Sequence, residues 1–253
     1  MIDRGYIDAV RLLLTVVPDV FKNDIFAMKG GTAINLFVQD MPRLSVDIDV
    51  AYVPRDTSRE EALHAISDEL KLIQKRVEKL GLLVDLNKSR SDGETKLFIA
   101  DANSQVKVEV NSVFRGTIFP VAPRSLTAKT TQMFSVTVNA PVLAEAELYG
   151  SKIVAALDRQ HPRDLFDVLK LYEQGGLTKD ILEAFVIYLA GHNRPTHEVL
   201  FGTDKDISAS YLNSFVGMTF EESPSLENLM DIRARLRVDT VRLLTERQRG
   251  FLV

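Results

Sequence analysis

The chain has 253 residues, 45% hydrophobic and 26% charged, with a formal net charge of −4 and no cysteine. That length suffices for one large domain or two modest ones, each with its own core. The charge gives no global pull toward nucleic acid or anionic lipid, and the absence of cysteine excludes disulfides and thiolate metal sites, which is compatible with a reducing cytoplasm.

The N-terminal stretch "MIDRGYIDAVRLLL" lacks a basic region followed by a clean apolar run, so no signal peptide is expected. Residues 5–17 repeat apolar positions at helical spacing, and Pro18 is expected to end that helix. "IFAMK" (25–29) reads as a short strand, Gly30-Gly31 as a turn and "TAINLFVQD" (32–40) as a helix. A strand follows at 45–52, and then "SREE" (58–61) is a capping box opening a long amphipathic helix that Gly81 stops. Segments 82–87, 95–100, 105–110 and 132–138 read as strands, with "NKSRSDGE" as the loop of a hairpin. From Pro141 the texture changes. Helical patterns occupy 142–160, 162–174, 178–191 and 225–247, and 192–224 is polar and less regular. The longest apolar stretch, "ILEAFVIYLAG", is too short to span a bilayer and carries Glu183, so no membrane association is expected and a cytoplasmic location is. The expected fold class is α+β over residues 1–138, followed by a helical C-terminal domain over 139–253.

Three constellations carry chemistry. In "MKGGTAINLF" a strand runs through Gly30 and Gly31 into a helix, which lets backbone approach a ligand and points helix N–H groups at an anion, with Thr32 offering a hydroxyl. The alternative is a tight turn whose glycines only supply positive φ. In "RLSVDIDVAY" the two aspartates, Asp47 and Asp49, share one strand face while Val46, Ile48 and Val50 take the other. "QVKVEV" repeats the pattern, with Lys107 and Glu109 set against Val106, Val108 and Val110. If the two strands are neighbours, three carboxylates converge on one polar face, where hard divalent cations take oxygen ligands together with phosphates; the alternative is solvated acids on an edge strand.

The third constellation is "ELYGSKIVAALDRQHPRDLFDVLKL". Lys152 and Arg159 lie two turns apart on one helical face, and Pro162 is expected to close that helix near His161 and open the next. Arg163, Asp164 and Asp167 then fall in the first turns of the new helix, where the cations could hold a triphosphate. The alternative is a surface ion-pair network, with Arg163 bonded to Asp167 at i,i+4; if Lys152 instead holds the triphosphate it is expected to be exposed and to contribute little to folding. His161 suits an N-cap or helix junction better than a general base. The arginines at 233, 235, 237, 242, 247 and 249 make either an RNA-facing strip or a solvated helix face.

Together, "GGTAINLF…RLSVDIDV", "KVEV" and "K-I-V-A-A-L-x-R-x-x-x-R-D-L-F-D" resemble the AbiEii/AbiGii toxin family, the MenT-like members of the DNA-polymerase-β-like nucleotidyltransferase superfamily, over residues 25–173. The resemblance implies a nucleotidyltransferase-like mixed sheet with flanking helices. It further implies that Gly30, Gly31 and Thr32 cradle phosphates, and that Arg43 and Ser45 support the strand presenting Asp47 and Asp49. Asp47, Asp49 and Glu109 are then the metal ligands, and Lys152, Arg163 and Asp167 match the motif tied to nucleotide binding or catalysis. On this basis Asp47, Asp49, Glu109, Lys152 and Asp167 are the catalytic candidates, and Gly30, Gly31, Thr32, Ser45, Lys152, Arg163 and Asp167 the nucleotide-binding ones.

Members of that family are toxins of bacterial toxin–antitoxin or phage-defence systems, and several transfer nucleotides to tRNA 3′ ends. The expectation is a transferase that uses NTP and Mg2+ (or Mn2+), adds NMP to an RNA acceptor such as tRNA, and is opposed by a separately encoded antitoxin. Competing readings are a non-catalytic nucleotide-binding module and a transferase with a small-molecule or protein acceptor.

Overall fold

The alternation in 47–50 and 105–110 folds as it reads: Ile48, Val50, Val106, Val108 and Val110 are buried, and the charged residues between them are half-exposed, while Val46, expected on the buried face, is half-exposed ahead of the strand. The computed structural model describes residues 4–88 and 94–252. By packing, the chain divides after Ala144 into two units.

The first unit is built on a seven-stranded mixed sheet. Its elements are α1 (Arg4–Val20), β1 (Phe26–Lys29), α2 (Gly30–Thr32, continued by π-helical turns over Ala33–Val38), β2 (Asp47–Tyr52), α3 (Arg59–Glu78), β3 (Leu83–Lys88), β4 (Glu94–Ala100), β5 (Gln105–Arg115), β6 (Ala122–Ser125), α4 (Ala128–Phe134) and β7 (Asn139–Val142). The strand order is β3-β4-β5-β2-β1-β7-β6. β2 runs parallel to β5 and antiparallel to β1, and β1 is parallel to β7. Helices α1 and α3 pack on each other and on β5, so the buried rows of Leu13, Leu14 and Val17 and of Ile66, Leu70 and Ile73 supply the core against its valines.

Pro18 does not end the first helix. It lies in the last turn, where its missing N–H costs one bond, while buried Val17, Val20 and Phe21 hold the chain on course and Phe21 N–H still reaches the Val17 carbonyl at 3.1 Å. The Ser58–Glu61 capping box is formed in both directions, and Gly81, at φ 79°, follows the end of α3. β3 and β4 pair antiparallel as far as Lys88 and Thr95, as a hairpin requires, and the loop expected between them falls at residues 89–93, outside the described residues. The strand expected at 132–138 is absent. Phe134 instead closes α4, Ser135 turns the chain in the left-handed region at φ 54°, and pairing begins at Asn139.

The second unit is helical: α5 (Glu145–Asp158), α6 (Pro162–Glu173), α7 (Lys179–Ala190), α8 (Thr196–Leu200), α9 (Ser208–Ser214), α10 (Leu226–Leu243) and α11 (Glu246–Phe251). α5 meets α7 at Gly150, where a Cβ would lie 2.5 Å from that of Ala184 and 2.7 Å from the Phe185 nitrogen, so only glycine permits the approach. The helix expected over 225–247 is two helices. Leu244 leaves helical geometry at ψ 131°, and a Thr245–Gln248 capping box starts the next one. Among the described residues no helix is long and apolar enough to cross a membrane.

Candidate active site

At the end of β1 the chain enters α2 through Gly30, whose φ of 75° is in the left-handed region. A Cβ there would sit 2.0 Å from Asp49 Oδ2, so the absent side chain is the space the carboxylate occupies. Gly31 is equally confined: its Cβ would meet Arg43 Nη2 at 2.7 Å and Ser45 Oγ at 3.0 Å. Thr32, fully buried, hydrogen-bonds Ser45 Oγ at 3.0 Å and the Asp47 carbonyl. Its hydroxyl therefore ties α2 to the start of β2. Arg43 is 2% exposed and donates from Nη1 to the Leu44 carbonyl at 2.9 Å, bracing the segment that leads into β2.

The ladder register places Asp47 opposite Lys107 and Asp49 opposite Glu109, so all four lie on one face of adjacent parallel strands. Lys29 pairs with Asp49 from β1, and Lys96 with Glu109 from β4. Three acids and three lysines thus share the face, with Asp49 and Glu109 side by side. Lys107 Nζ is 2.5 Å from Glu109 Oε2 and 4.0 Å from Asp47 Oδ1, and Lys96 Nζ is 3.8 Å from Glu109 Oε1. Partial burial works against the Lys107 charge, but the hydrogen bond to Glu109 and the charges of Asp47, Glu109 and Asp49 outweigh it and hold its pKa above the ordinary lysine value.

Among the described residues no three His, Cys, Asp or Glu side chains gather closely enough to hold a metal ion. The chemistry of the donors still suits a hard divalent cation. Mg2+ commonly takes one or two carboxylates and completes its shell with waters and substrate phosphates, and Asp47 and Asp49 are two carboxylates at alternate positions of one strand.

In the second unit His161 caps α6, its Nδ1 accepting from Arg163 N–H at 3.2 Å, with Pro162 at the first helical position. Lys152 is not an exposed lysine: it is 6% exposed, and its ammonium is 2.9 Å from Asp164 Oδ1 and 3.0 Å from Asp167 Oδ2. Arg159 adds a second cation, its Nη2 donating to Asp164 Oδ1 at 2.9 Å. Burial would raise the Asp164 pKa, but Lys152 and Arg159 overcome it and hold the carboxyl far below its ordinary value. No Arg163–Asp167 pair forms, because Asp167 turns to Lys152; the half-buried Arg163 guanidinium has no ion pair among the described residues.

The arginines of α10 are largely committed. Arg233, 3% exposed, donates to Gln160 Oε1 and the Lys205 carbonyl; Arg237 pairs with Asp204 at 2.6 Å; Arg235 lies 3.9 Å over the Tyr172 ring and pairs with Asp239, as does Arg242. An RNA-facing strip and a solvated face are both poor descriptions of Arg233 and Arg237, whose guanidinium groups are taken up by Gln160, Asp204 and the Lys205 carbonyl. Sequence reasoning gave no role to Lys29 or Lys96, and none to Lys107 beyond its face. Strand alternation marks Lys107, while the other two emerge only once β1 and β4 are in register.

The sheet, its flanking helices and the glycine turn set against strand aspartates place the protein in the nucleotidyltransferase class of α+β folds. Residues 11–244 match the nucleotidyl transferase AbiEii toxins of type IV toxin–antitoxin systems, and the chain belongs to that family. No curated protein gives a significant match. Among solved structures, the nucleotidyltransferase toxin MenT4 from Mycobacterium tuberculosis superposes with a TM-score of 0.68 over 99% of this chain and 89% of that one, at 16% identity, which is a likeness of fold. The Escherichia coli CdnC:HORMA-deltaN complex gives a TM-score of 0.25 at 10% identity over 96% of this chain and 84% of that one.

The confinement of Gly30 makes a prediction. Gly30→Ala and Gly81→Ala both force alanine into positive φ, but nothing lies within 4 Å of a Cβ at Gly81. Each should lose about 1–2 kcal/mol of stability from backbone strain. Only Gly30→Ala should also lose nucleotidyl transfer, by displacing Asp49. Thermal midpoints and transfer rates on the two variants check this, and equal activities would show that the Asp49 position is not critical.

Proposed function

We propose that this toxin is a metal-dependent nucleotidyltransferase that moves NMP from an NTP onto the 3′ hydroxyl of an RNA, with tRNA as the acceptor. The observation that most supports it is the shared face of Asp47, Asp49 and Glu109 beside the glycine turn. Asp47 and Asp49 would hold Mg2+, or Mn2+ in its place, with Glu109 adjacent. A bound divalent ion supplies charge stabilisation at the α-phosphate as pyrophosphate leaves. Gly30 and Gly31 let backbone N–H groups approach the phosphates, while Thr32 and Ser45 fix the glycine turn against β2. Glu109 accepts the proton of the acceptor hydroxyl, its carboxylate oriented by Lys107 and Lys96.

In the helical unit, Arg163 is a candidate phosphate-binding cation. Lys152 and Asp167 hold the first turn of α6 in place. The protein acts in the cytoplasm against a separately encoded antitoxin. Family membership in a transferase family argues against a purely sequestering, non-catalytic module.

Incubation with each labelled NTP, Mg2+ and either total RNA, a protein extract or a small-molecule fraction tests the acceptor. Label should enter RNA and be released as a single 3′-terminal nucleotide. Label confined to protein or to small molecules would overturn the RNA acceptor and favour the corresponding alternative.

A further inference from the structure

The turn between α5 and α6 is held by a side chain that the pattern K-I-V-A-A-L-x-R-x-x-x-R leaves open. Gln160 sits at φ 54°, in the left-handed region, which its Cβ disfavours. Its side chain is buried, at 2% exposure, and is in use at both ends. Nε2 donates to the Thr203 carbonyl at 2.9 Å, while Oε1 accepts from Lys205 N–H at 2.9 Å and from Arg233 Nη1 at 3.0 Å. Lys205 returns the contact, its ammonium donating to the Asp158 carbonyl at the end of α5 at 2.8 Å. One amide thus joins the α5–α6 turn to the 203–205 segment and to α10, with each end on its complementary group.

His161 passes this restraint on. It receives three N–H groups from the first turn of α6: Arg163 on its ring Nδ1 at 3.2 Å, and Asp164 and Leu165 on its carbonyl at 2.9 and 3.1 Å. Gln160 and His161 share a planar peptide unit, so the direction in which the chain leaves Gln160 sets how the cap enters α6. No ion pair among the described residues holds the half-buried Arg163 guanidinium, so its placement follows the backbone that carries it. We propose that Gln160 is a positioning residue for the nucleotide: its hydrogen bonds aim the first turn of α6, and so Arg163, at the triphosphate. This rests on the reading of Arg163 as a phosphate-binding cation. It accounts for a glutamine where glycine would turn the chain without strain, because glycine carries no amide to clamp.

Isothermal titration calorimetry of the full chain with each common NTP and Mg2+, well below every thermal midpoint, tests it. Gln160→Gly and Gln160→Asn both suit positive φ, so neither strains the turn. Arg163→Ala should weaken the best-bound NTP about tenfold or more, the worth of a charge-assisted hydrogen bond. Gln160→Gly should weaken it severalfold and Gln160→Asn, which keeps a shorter amide, by less. In the Arg163→Ala background neither should add a further loss. Unchanged affinity in Gln160→Gly, while Arg163→Ala weakens binding, would overturn the proposal and leave the reading of Arg163 standing. Losses that add in the double variant would overturn it too. So would failure of both Gln160 variants to fold, since the residue would then serve the fold alone. Unchanged affinity in Arg163→Ala, or no NTP bound by wild type, would overturn the reading of Arg163 itself, and the proposal with it.

Discussion

Asp49→Ala should abolish nucleotidyl transfer and leave the fold intact. The side chain is half-exposed on the sheet face, and the core of β2 is made by Ile48 and Val50 behind it. Its ladder neighbour is another acid, Glu109, so its removal relieves like-charge repulsion as well as losing attraction to nearby lysines. Thermal stability should therefore change by less than about 1 kcal/mol. Under the proposed metal-holding role, the rate should fall about a thousandfold or more, because a correctly held metal ion supplies several kcal/mol of transition-state stabilisation and each ~1.4 kcal/mol is a factor of ten. Asp47→Ala should behave alike, since Thr32 holds the Asp47 carbonyl and not its side chain. The measurement is label transfer to RNA alongside a thermal melt. A folded Asp49→Ala protein within tenfold of the wild-type rate would remove Asp49 from the catalytic centre.

Lys152→Ala should do the opposite, acting first on stability. The ammonium separates two carboxylates whose side chains are 1% exposed, and without it Asp167 loses this cation while Asp164 keeps Arg159. Breaking a buried pair from one side costs about 3–5 kcal/mol. A chain of this size should lose roughly 10 °C of thermal midpoint, at about 2–4 °C per kcal/mol. Lys152→Arg should be an incomplete rescue, because a forked guanidinium does not fit a site shaped around a point charge.

The pH dependence has a definite sign. The Asp164 carboxyl is held below its ordinary value of 3.8 in the folded protein, so the unfolded chain binds that proton more readily. Its contribution is therefore complete above pH 3.8 and is lost as pH falls toward the depressed folded value. The stability gap between wild type and Lys152→Ala should be widest near neutrality and shrink on acidification below that point. Denaturant unfolding at a series of pH values checks it, and a gap that widens in acid would refute the buried-pair account.

Much of the sheet could be read from the chain, because its central strands obey a period of two with acids or lysines breaking an apolar series. The Gly30-Gly31 turn and the Ser58–Glu61 capping box are likewise local, each set by a few adjacent residues. β6 and β7 were hidden for a physical reason. Each contains a proline, and Pro123 faces Pro141 across their ladder, so neither carries an ordinary strand signature and their pairing depends on β1. The burial of Lys152 was equally invisible. A lysine on an amphipathic helix reads as exposed until α6 brings Asp164 and Asp167 against it. Helix periodicity also overstated α10, since the capping box at Thr245 restarts the same apolar rhythm after a break.

The fit of Asp49 into the space left by Gly30 constrains how this chain can change over generations. Positions 30 and 49 are far apart in sequence but occupy one volume, so position 30 cannot gain a side chain while Asp49 is present. A side chain at position 30 becomes sterically admissible once Asp49 has been shortened, and a chain that has lost Asp49 has lost the acid its activity is expected to require. The reverse path is closed too, because regaining Asp49 would then first need glycine restored. Drift through this pair therefore passes through an inactive protein in either direction. Lineages of such toxins should keep both residues or, once inactivated and released from that constraint, lose both.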